Sequence, residues 1–221
     1  MKNIVRILDI GVVTHNVKCF RFEKPANYQF IPGQATDVSI NEPGLEDETR
    51  PFTFTSLPVQ PYLEFTIKGY PDHHGITEKL HKLERGAELI IQDSWGAIEY
   101  KGPGCFIAGG AGITPFIAIL RQLHANNELK GNTLIFSNDT AADIIYESEL
   151  KEMLQDQAIF ILTKEDREGY KSGYINEAYL KEQVADFTQH FYLCGPDAMI
   201  ADLQKLLTNL GANPEVMVFE K

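Results

Sequence analysis

With 221 residues and 43% hydrophobic content, the chain has enough apolar material for one large or two small packed domains and is not a disordered polymer. Its formal net charge of -11 disfavours a nucleic-acid groove or an anionic lipid surface, since phosphate groups are held mainly by excess Lys and Arg. Cys19, Cys105 and Cys194 stand far apart without CxxC spacing, so no zinc or iron-sulfur site is signalled, no metal ligand is assigned, and a reducing cytoplasm is the expected setting.

Arg6 and Asp9 interrupt the apolar start of the chain, so no signal peptide is expected. Residues 4–13, 18–23, 35–40, 51–56, 63–70 and 88–100 read as strands, separated by Pro, Gly, Asn and Asp. That many short strands predict a small antiparallel β-barrel. In Leu63-Glu64-Phe65-Thr66-Ile67-Lys68, apolar and polar residues alternate, which predicts a strand buried on one face. A short helix over residues 77–83 follows Gly75, and the acidic stretch 41–49 reads as a solvated connection.

After Lys101-Gly102-Pro103-Gly104 the rhythm changes to alternating strand and helix. Strands are predicted at 105–108, 133–137, 159–163, 190–194 and 215–219, and helices at 115–126, 144–154, 176–184 and 197–210. Leu203, Leu206, Leu207 and Leu210 form an apolar stripe on the last helix, and Gly211 stands where a left-handed cap is wanted. The uncharged stretch 102–120 is as long as a membrane span, but its five glycines and two prolines fit a strand, turn and helix instead. The expected architecture is a barrel domain over residues 1–101 and a doubly wound α/β domain with a parallel sheet over 102–221, with ligands at the carboxyl ends of its strands.

Each half carries a turn suited to phosphate. Gly75-Ile76-Thr77 opens the short helix and Gly109-Gly110-Ala111-Gly112-Ile113-Thr114-Pro115 opens a longer one. Helix N-termini present unpaired N–H groups and a positive dipole end, and glycine lets backbone approach an anion. Two such seats predict electron transfer between two dinucleotides. Thr77 as a helix cap and Thr114-Pro115 as a helix start are sufficient explanations of those residues alone, whereas the density of glycine at 109–112 reads as clearance for a ligand.

Arg50-Pro51-Phe52-Thr53, Gly75-Ile76-Thr77-Glu78-Lys79-Leu80, Gly110-Ala111-Gly112-Ile113-Thr114-Pro115 and Cys194-Gly195-Pro196-Asp197-Ala198-Met199 occur in an order that resembles the ferredoxin-NADP reductase family of flavoproteins, over nearly the whole chain. The likeness is nearest to its compact flavodoxin-reductase-type members. It implies an FAD-binding barrel and an NAD(P)-binding α/β domain whose rings meet in a cleft, and an oxidoreductase that passes hydride from NAD(P)H to flavin and electrons onward.

The resemblance implies roles residue by residue. Arg50 offers a planar, permanently charged fork for a flavin phosphate, against the plainer reading of an ion pair with the acidic loop. Pro51, Phe52 and Thr53 would lie along the flavin, with Thr53 near its hydride-accepting N5; Phe52 also suits a core position. Ile67, Lys68 and Tyr70 would flank the ring system, and Gly75, Ile76 and Thr77 would hold a pyrophosphate, which favours FAD over FMN. Gly110, Gly112, Thr114 and Pro115 would seat the nicotinamide dinucleotide, as would Gly195, Pro196, Asp197 and Met199. Cys194 reads either as a small buried hydrophobe or as the family thiol near nicotinamide C4, with Glu220 a further orienting group. Phe219 would cover the flavin face or close the core, and His73-His74 reads as exposed loop.

Ser137-Asn138-Asp139 after the second strand brings no cation to a ribose 2'-phosphate, and Asp139 would repel one, so NADH is favoured. Lys164 and Arg167 are placed to reverse that preference. The acceptor is an unidentified protein or small molecule. An electron-transfer module of a larger complex and a non-catalytic flavin-binding redox sensor are the alternative readings.

Overall fold

The computed structural model describes residues 2–70, 75–96 and 98–219. The first sheet comprises β1 (Asn3–Thr14), β2 (Val17–Glu23), β3 (Ala35–Ile40), β4 (Arg50–Thr53), β5 (Tyr62–Lys68) and β6 (Glu88–Ile91), in the order β4-β3-β6-β1-β2-β5. Its pairs are antiparallel, and an isolated bridge from Phe54 to Phe65 brings the two edges together. Closure places Val5, Ile7, Phe20, Phe22, Val38, Phe54 and Phe65 inside, with the Phe22 and Phe65 rings 4.5 Å apart and Phe30 stacked on Phe54 at 4.3 Å. Helix α1 (Ile76–Lys82) lies against this core through Ile76 and Leu80.

The second sheet is parallel. It comprises β7 (Gly104–Gly109), β8 (Thr133–Asn138), β9 (Ala158–Leu162), β10 (Lys171–Ser172), β11 (His190–Cys194) and β12 (Met217–Phe219), in the order β10-β9-β8-β7-β11-β12. Phe106, Ala108, Leu134 and Phe136 face α2 (Thr114–Ala125) and α3 (Glu147–Leu154). Cys105, Ile107, Ile135 and Leu193 face α4 (Glu177–Gln183) and α5 (Asp197–Asn209). With both faces covered, the sheet is doubly wound, and its strand order reverses between β7 and β11, where ligands of such sheets bind. Among the described residues no helix is long and apolar enough to cross a membrane.

The strand predicted over 88–100 ends at Ile91, where the chain departs through Asp93, Ser94 and Gly96 at φ +139°, and among the described residues beyond it a single bridge joins Trp95 to Ala35. The predicted helix start at 144 moves to Glu147, because Tyr146 sits at φ 54°, ψ 35°, outside right-handed helical space. Residues 214–216 form a 3-10 turn rather than strand, with the Asn213 side chain accepting from the Glu215 N–H. Strand β5 is buried on both faces: Glu64 and Thr66 are enclosed along with Leu63, Phe65 and Ile67. Gly211 adopts the expected left-handed conformation, at φ +99°. His73, His74 and Glu220 lie outside the described residues.

Candidate functional site

At the end of β7 the chain enters a 3-10 turn, Gly110–Ile113, and runs straight into α2. Gly110 has φ +52°, and a Cβ there would meet nothing within 4 Å, so its backbone borders open space. The other glycines have a different reason. A Cβ on Gly109 would stand 2.5 Å from Met199 Sδ, and one on Gly112 would stand 2.3 Å from the Cys194 carbonyl oxygen. Gly110 thus faces open space, Gly109 lies against the Met199 and Pro196 side chains, and Gly112 is needed so that the turn can close on the Cys194 backbone at the β11–α5 junction. The Thr114 hydroxyl donates to the Ala111 carbonyl at 3.1 Å. Pro115 is buried in the first turn of α2, and neither residue lines the cleft described next.

The junction of β7, β8 and β11 opens into a cleft of about 980 Å³. Gly110, Gly112, Asn138, Asp139, Cys194, Gly195, Pro196 and Met199 line it, and Lys68 and Tyr70, at the end of β5, border it from the barrel side. Asp197, in the first turn of α5, does not line it, nor does Phe219, which packs instead against the core on the α4 and α5 face of the sheet.

Asn138 closes β8 with both side-chain polar atoms buried and without a hydrogen-bond partner. Since such groups cost about 1–3 kcal/mol each when unmet, an amide in this state on a cleft wall fits a polar ligand. Asp139 beside it accepts from Lys164 Nζ at 2.9 Å and from the Thr163 hydroxyl at 3.0 Å. The Lys164 ammonium is the main cause holding the Asp139 carboxyl below its ordinary pKa. Lys164 is thus engaged by Asp139, and Arg167 turns toward Glu165, at 3.9 Å, and the Tyr170 ring.

On the barrel, Arg50 is exposed at the start of β4, where its Nη1 donates to the Thr49 carbonyl at 2.7 Å. Among the described residues it forms no ion pair with the acidic stretch 41–49. Pro51 is exposed beside it; Phe52 and Thr53 are half-buried, with the Phe52 ring 6.0 Å from Phe65. Gly75 caps α1 through its backbone, its carbonyl accepting from the Glu78 N–H at 3.1 Å, and Thr77 makes no cap bond. The expected cap at Thr77 is therefore two positions too late, since Gly75 is the N-cap and Thr77 already lies inside the helix. Ile67 and Ile76 are each 2% exposed, so their side chains belong to the barrel core rather than to a ligand surface. The Ile67 carbonyl accepts from His81 Nε2 at 2.8 Å, which ties α1 to β5 beside Lys68.

Tyr174, Ile175, Thr163, Asp202 and Leu206 also line the cleft and were not anticipated. Tyr174 and Ile175 lie in a connection without a motif; the exposed aromatic at 174 is the one signal it offers.

The family model of the oxidoreductase NAD-binding domain matches residues 106–205. NADH-cytochrome b5 reductase 1 of Eremothecium gossypii is 30% identical over 227 residues, covering 93% of this chain and 78% of that protein. The chain belongs to the ferredoxin-NADP reductase family. NADH-cytochrome b5 reductase 2 of Emericella nidulans is 30% identical over 216 residues, covering 88% of this chain, which spans only 66% of that protein's length. In three dimensions this family member is similar to a ferredoxin NADP+ reductase from Neisseria gonorrhoeae solved with bound FAD and NADP, at TM-score 0.86 and 18% identity, covering 99% of this chain and 98% of that one. The two-domain fold, a barrel followed by a doubly wound sheet, is that of the family.

Proposed function

We propose that the chain is an FAD-dependent oxidoreductase that takes hydride from NADH and passes electrons to an acceptor protein or small molecule. The observation that carries this reading is the shared cleft: Lys68 and Tyr70 of the barrel face the same space as Gly110 and Cys194 of the parallel sheet. Family membership supports the assignment of FAD to the barrel unit, residues 1–101, and of the nicotinamide dinucleotide to residues 102–221.

Bound FAD would supply the hydride-accepting ring nitrogen and the capacity to release electrons singly or in pairs. The chain's own task is to bind, orient and exclude water. Arg50, which donates through Nη1 to the Thr49 carbonyl but is exposed and, among the described residues, pairs with no carboxylate of the acidic loop, is assigned to the flavin phosphates together with the backbone of Gly75, Ile76 and Thr77. Phe52 and Thr53 are assigned to the flavin ring and its reactive edge. Gly110 gives backbone access to the pyrophosphate of NADH, Asn138 offers its unmet amide, and Cys194, Gly195 and Pro196 form the wall beside the nicotinamide. Asp139 with Lys164 favours ribose hydroxyls over a 2'-phosphate, hence NADH. The three cysteines form no disulfide, which supports a reducing, cytoplasmic setting.

Heat release and chromatographic identification of the bound cofactor tests the flavin half of the proposal. FAD is the expected product; FMN alone, or a protein that retains no flavin after reconstitution, would contradict it.

A further inference from the structure

The face of β5 that carries Glu64 and Thr66 points away from the barrel core, yet Glu64 is only 2% exposed. It is covered by the second domain. Glu64 Oε1 accepts from Arg121 Nη1 at 2.9 Å and from the Thr55 hydroxyl at 3.0 Å, while Oε2 accepts from Arg21 Nε at 2.9 Å. Arg121, on α2, also donates through Nη1 to the Thr55 carbonyl at 2.7 Å and grips Glu149 of α3 with Nε and Nη2, at 2.5 and 2.9 Å.

Tyr146 completes the cluster. Its ring lies 5.0 Å beneath the Arg121 guanidinium and its hydroxyl meets the Thr66 hydroxyl at 3.0 Å, across the two domains. Its backbone holds the left-handed conformation at φ 54°, which is costly for a bulky side chain. A conformation of that kind persists only where its surroundings over-determine it, and here it delivers the aromatic ring to the domain junction.

The position of the cluster gives it a role beyond adhesion. Arg121 lies about two helical turns along the helix that begins at the Gly110–Ile113 turn. Thr55 lies on the segment that follows Phe52 and Thr53. One guanidinium therefore bonds the flavin-side segment while riding on the nucleotide-side helix. On the assignment of flavin to the barrel and NADH to the cleft, we infer that Arg121 and Glu64 are positioning residues that set the separation and tilt of the two bound rings, acting through Thr55 and α2 without touching either ring. Buried ion pairs contribute little net stability but impose geometry, and a misplacement of about 1 Å can cost a reaction about 10²-fold.

The test compares the FAD-loaded full chain with Arg121→Met, Glu64→Gln, the double variant and Arg121→Lys. Flavin reduction is followed by anaerobic stopped flow at saturating NADH, NAD+ and FAD affinities by titration, and amide exchange at Thr55, Glu64 and Tyr146 by mass spectrometry on the flavin-free chain. Expected are a reduction rate lowered at least tenfold, affinities within about threefold of the parent, and faster exchange at the junction in every variant. The double variant regains part of the thermal stability lost by the single ones, because neither member of the buried Glu64–Arg121 pair is left facing an absent partner and the half-exposed Glu149 and Arg21 that lose a contact can turn to water, but it does not regain the rate. Arg121→Lys, which lacks the fork, does not restore the rate. Parent-like reduction or unchanged junction exchange in the double variant would overturn the inference. A parent chain that NADH fails to reduce would instead sink the proposed function, and the exchange data would still decide whether the cluster holds the domains in register.

Discussion

Gly112 and Cys194 meet backbone to backbone: a methyl group on Gly112 would stand 2.3 Å from the Cys194 carbonyl oxygen. That oxygen belongs to the strand end and cannot swing aside as a side chain would. Gly112→Ala is therefore expected to lower stability by about 1–3 kcal/mol through overpacking and to weaken NADH binding by displacing the β11–α5 junction, while leaving flavin bound. Thermal melts and an NAD+ titration check both effects; wild-type affinity would show that the junction yields without consequence.

Asn138 carries a stability cost in the ligand-free chain, since its amide is buried with no partner. Asn138→Leu removes that cost, and a rise in ligand-free stability of about 1–3 kcal/mol is expected together with a loss of nucleotide affinity. Denaturant unfolding and calorimetric titration of the same samples measure the two effects. A variant that loses stability and keeps affinity would assign Asn138 to packing.

Asp139 occupies Lys164 through a 2.9 Å contact. Asp139→Ser removes one negative charge from the cleft wall and frees a positive one. The ratio of kcat/KM for NADPH over NADH should rise about fivefold or more, on the order of the 1 kcal/mol that two unit charges exchange at about 4 Å in water. An unchanged ratio would remove this pair from coenzyme selection.

Arg50 is exposed and holds no carboxylate of its neighbouring loop. Arg50→Ala should lose a charge-assisted contact of about 1.5–3 kcal/mol and weaken FAD retention by about tenfold or more. Fluorescence titration of the flavin-free chain reads this directly, and parent-like affinity would end the assignment.

The acid limb of stability should report on Glu64. Burial alone would raise its pKa, but Arg121, Arg21 and Thr55 together hold it below the ordinary carboxylate value. A carboxyl whose folded pKa is depressed contributes stability that is present above its unfolded value of about 4.3 and is lost as pH falls through the lower folded value. Glu64→Gln should therefore show a shallower loss of stability as the pH is lowered below about 4.3. Parallel curves for variant and parent would show that another group governs the acid limb.

Much of the architecture was legible because β1, β2 and β3 and the strands of the parallel sheet have apolar runs bounded by turn residues. The glycine turn after β7 and the Cys194-Gly195-Pro196 segment mark the cleft for the same kind of reason: backbone demands special residues there. What was not legible depended on the second domain. The alternation in 63–68 implies a wet face for Glu64 and Thr66, and the packing of α2 and Tyr146 against that face, together with Thr55 and Arg21 of the barrel, makes it dry. Gly109 and Gly112 read as ligand clearance because a sequence does not say that the Met199 and Pro196 side chains will press against the one and the Cys194 backbone against the other. Strand β10 has just two exposed polar residues, Lys171 and Ser172, and so leaves no apolar signal.

The most direct measurement is anaerobic mixing of the FAD-loaded chain with NADH, and separately with NADPH, while the yellow flavin absorbance is followed in time. Rapid bleaching with NADH and slower bleaching with NADPH are expected. A chain that binds FAD and keeps its oxidised spectrum with both coenzymes would contradict the proposed hydride transfer.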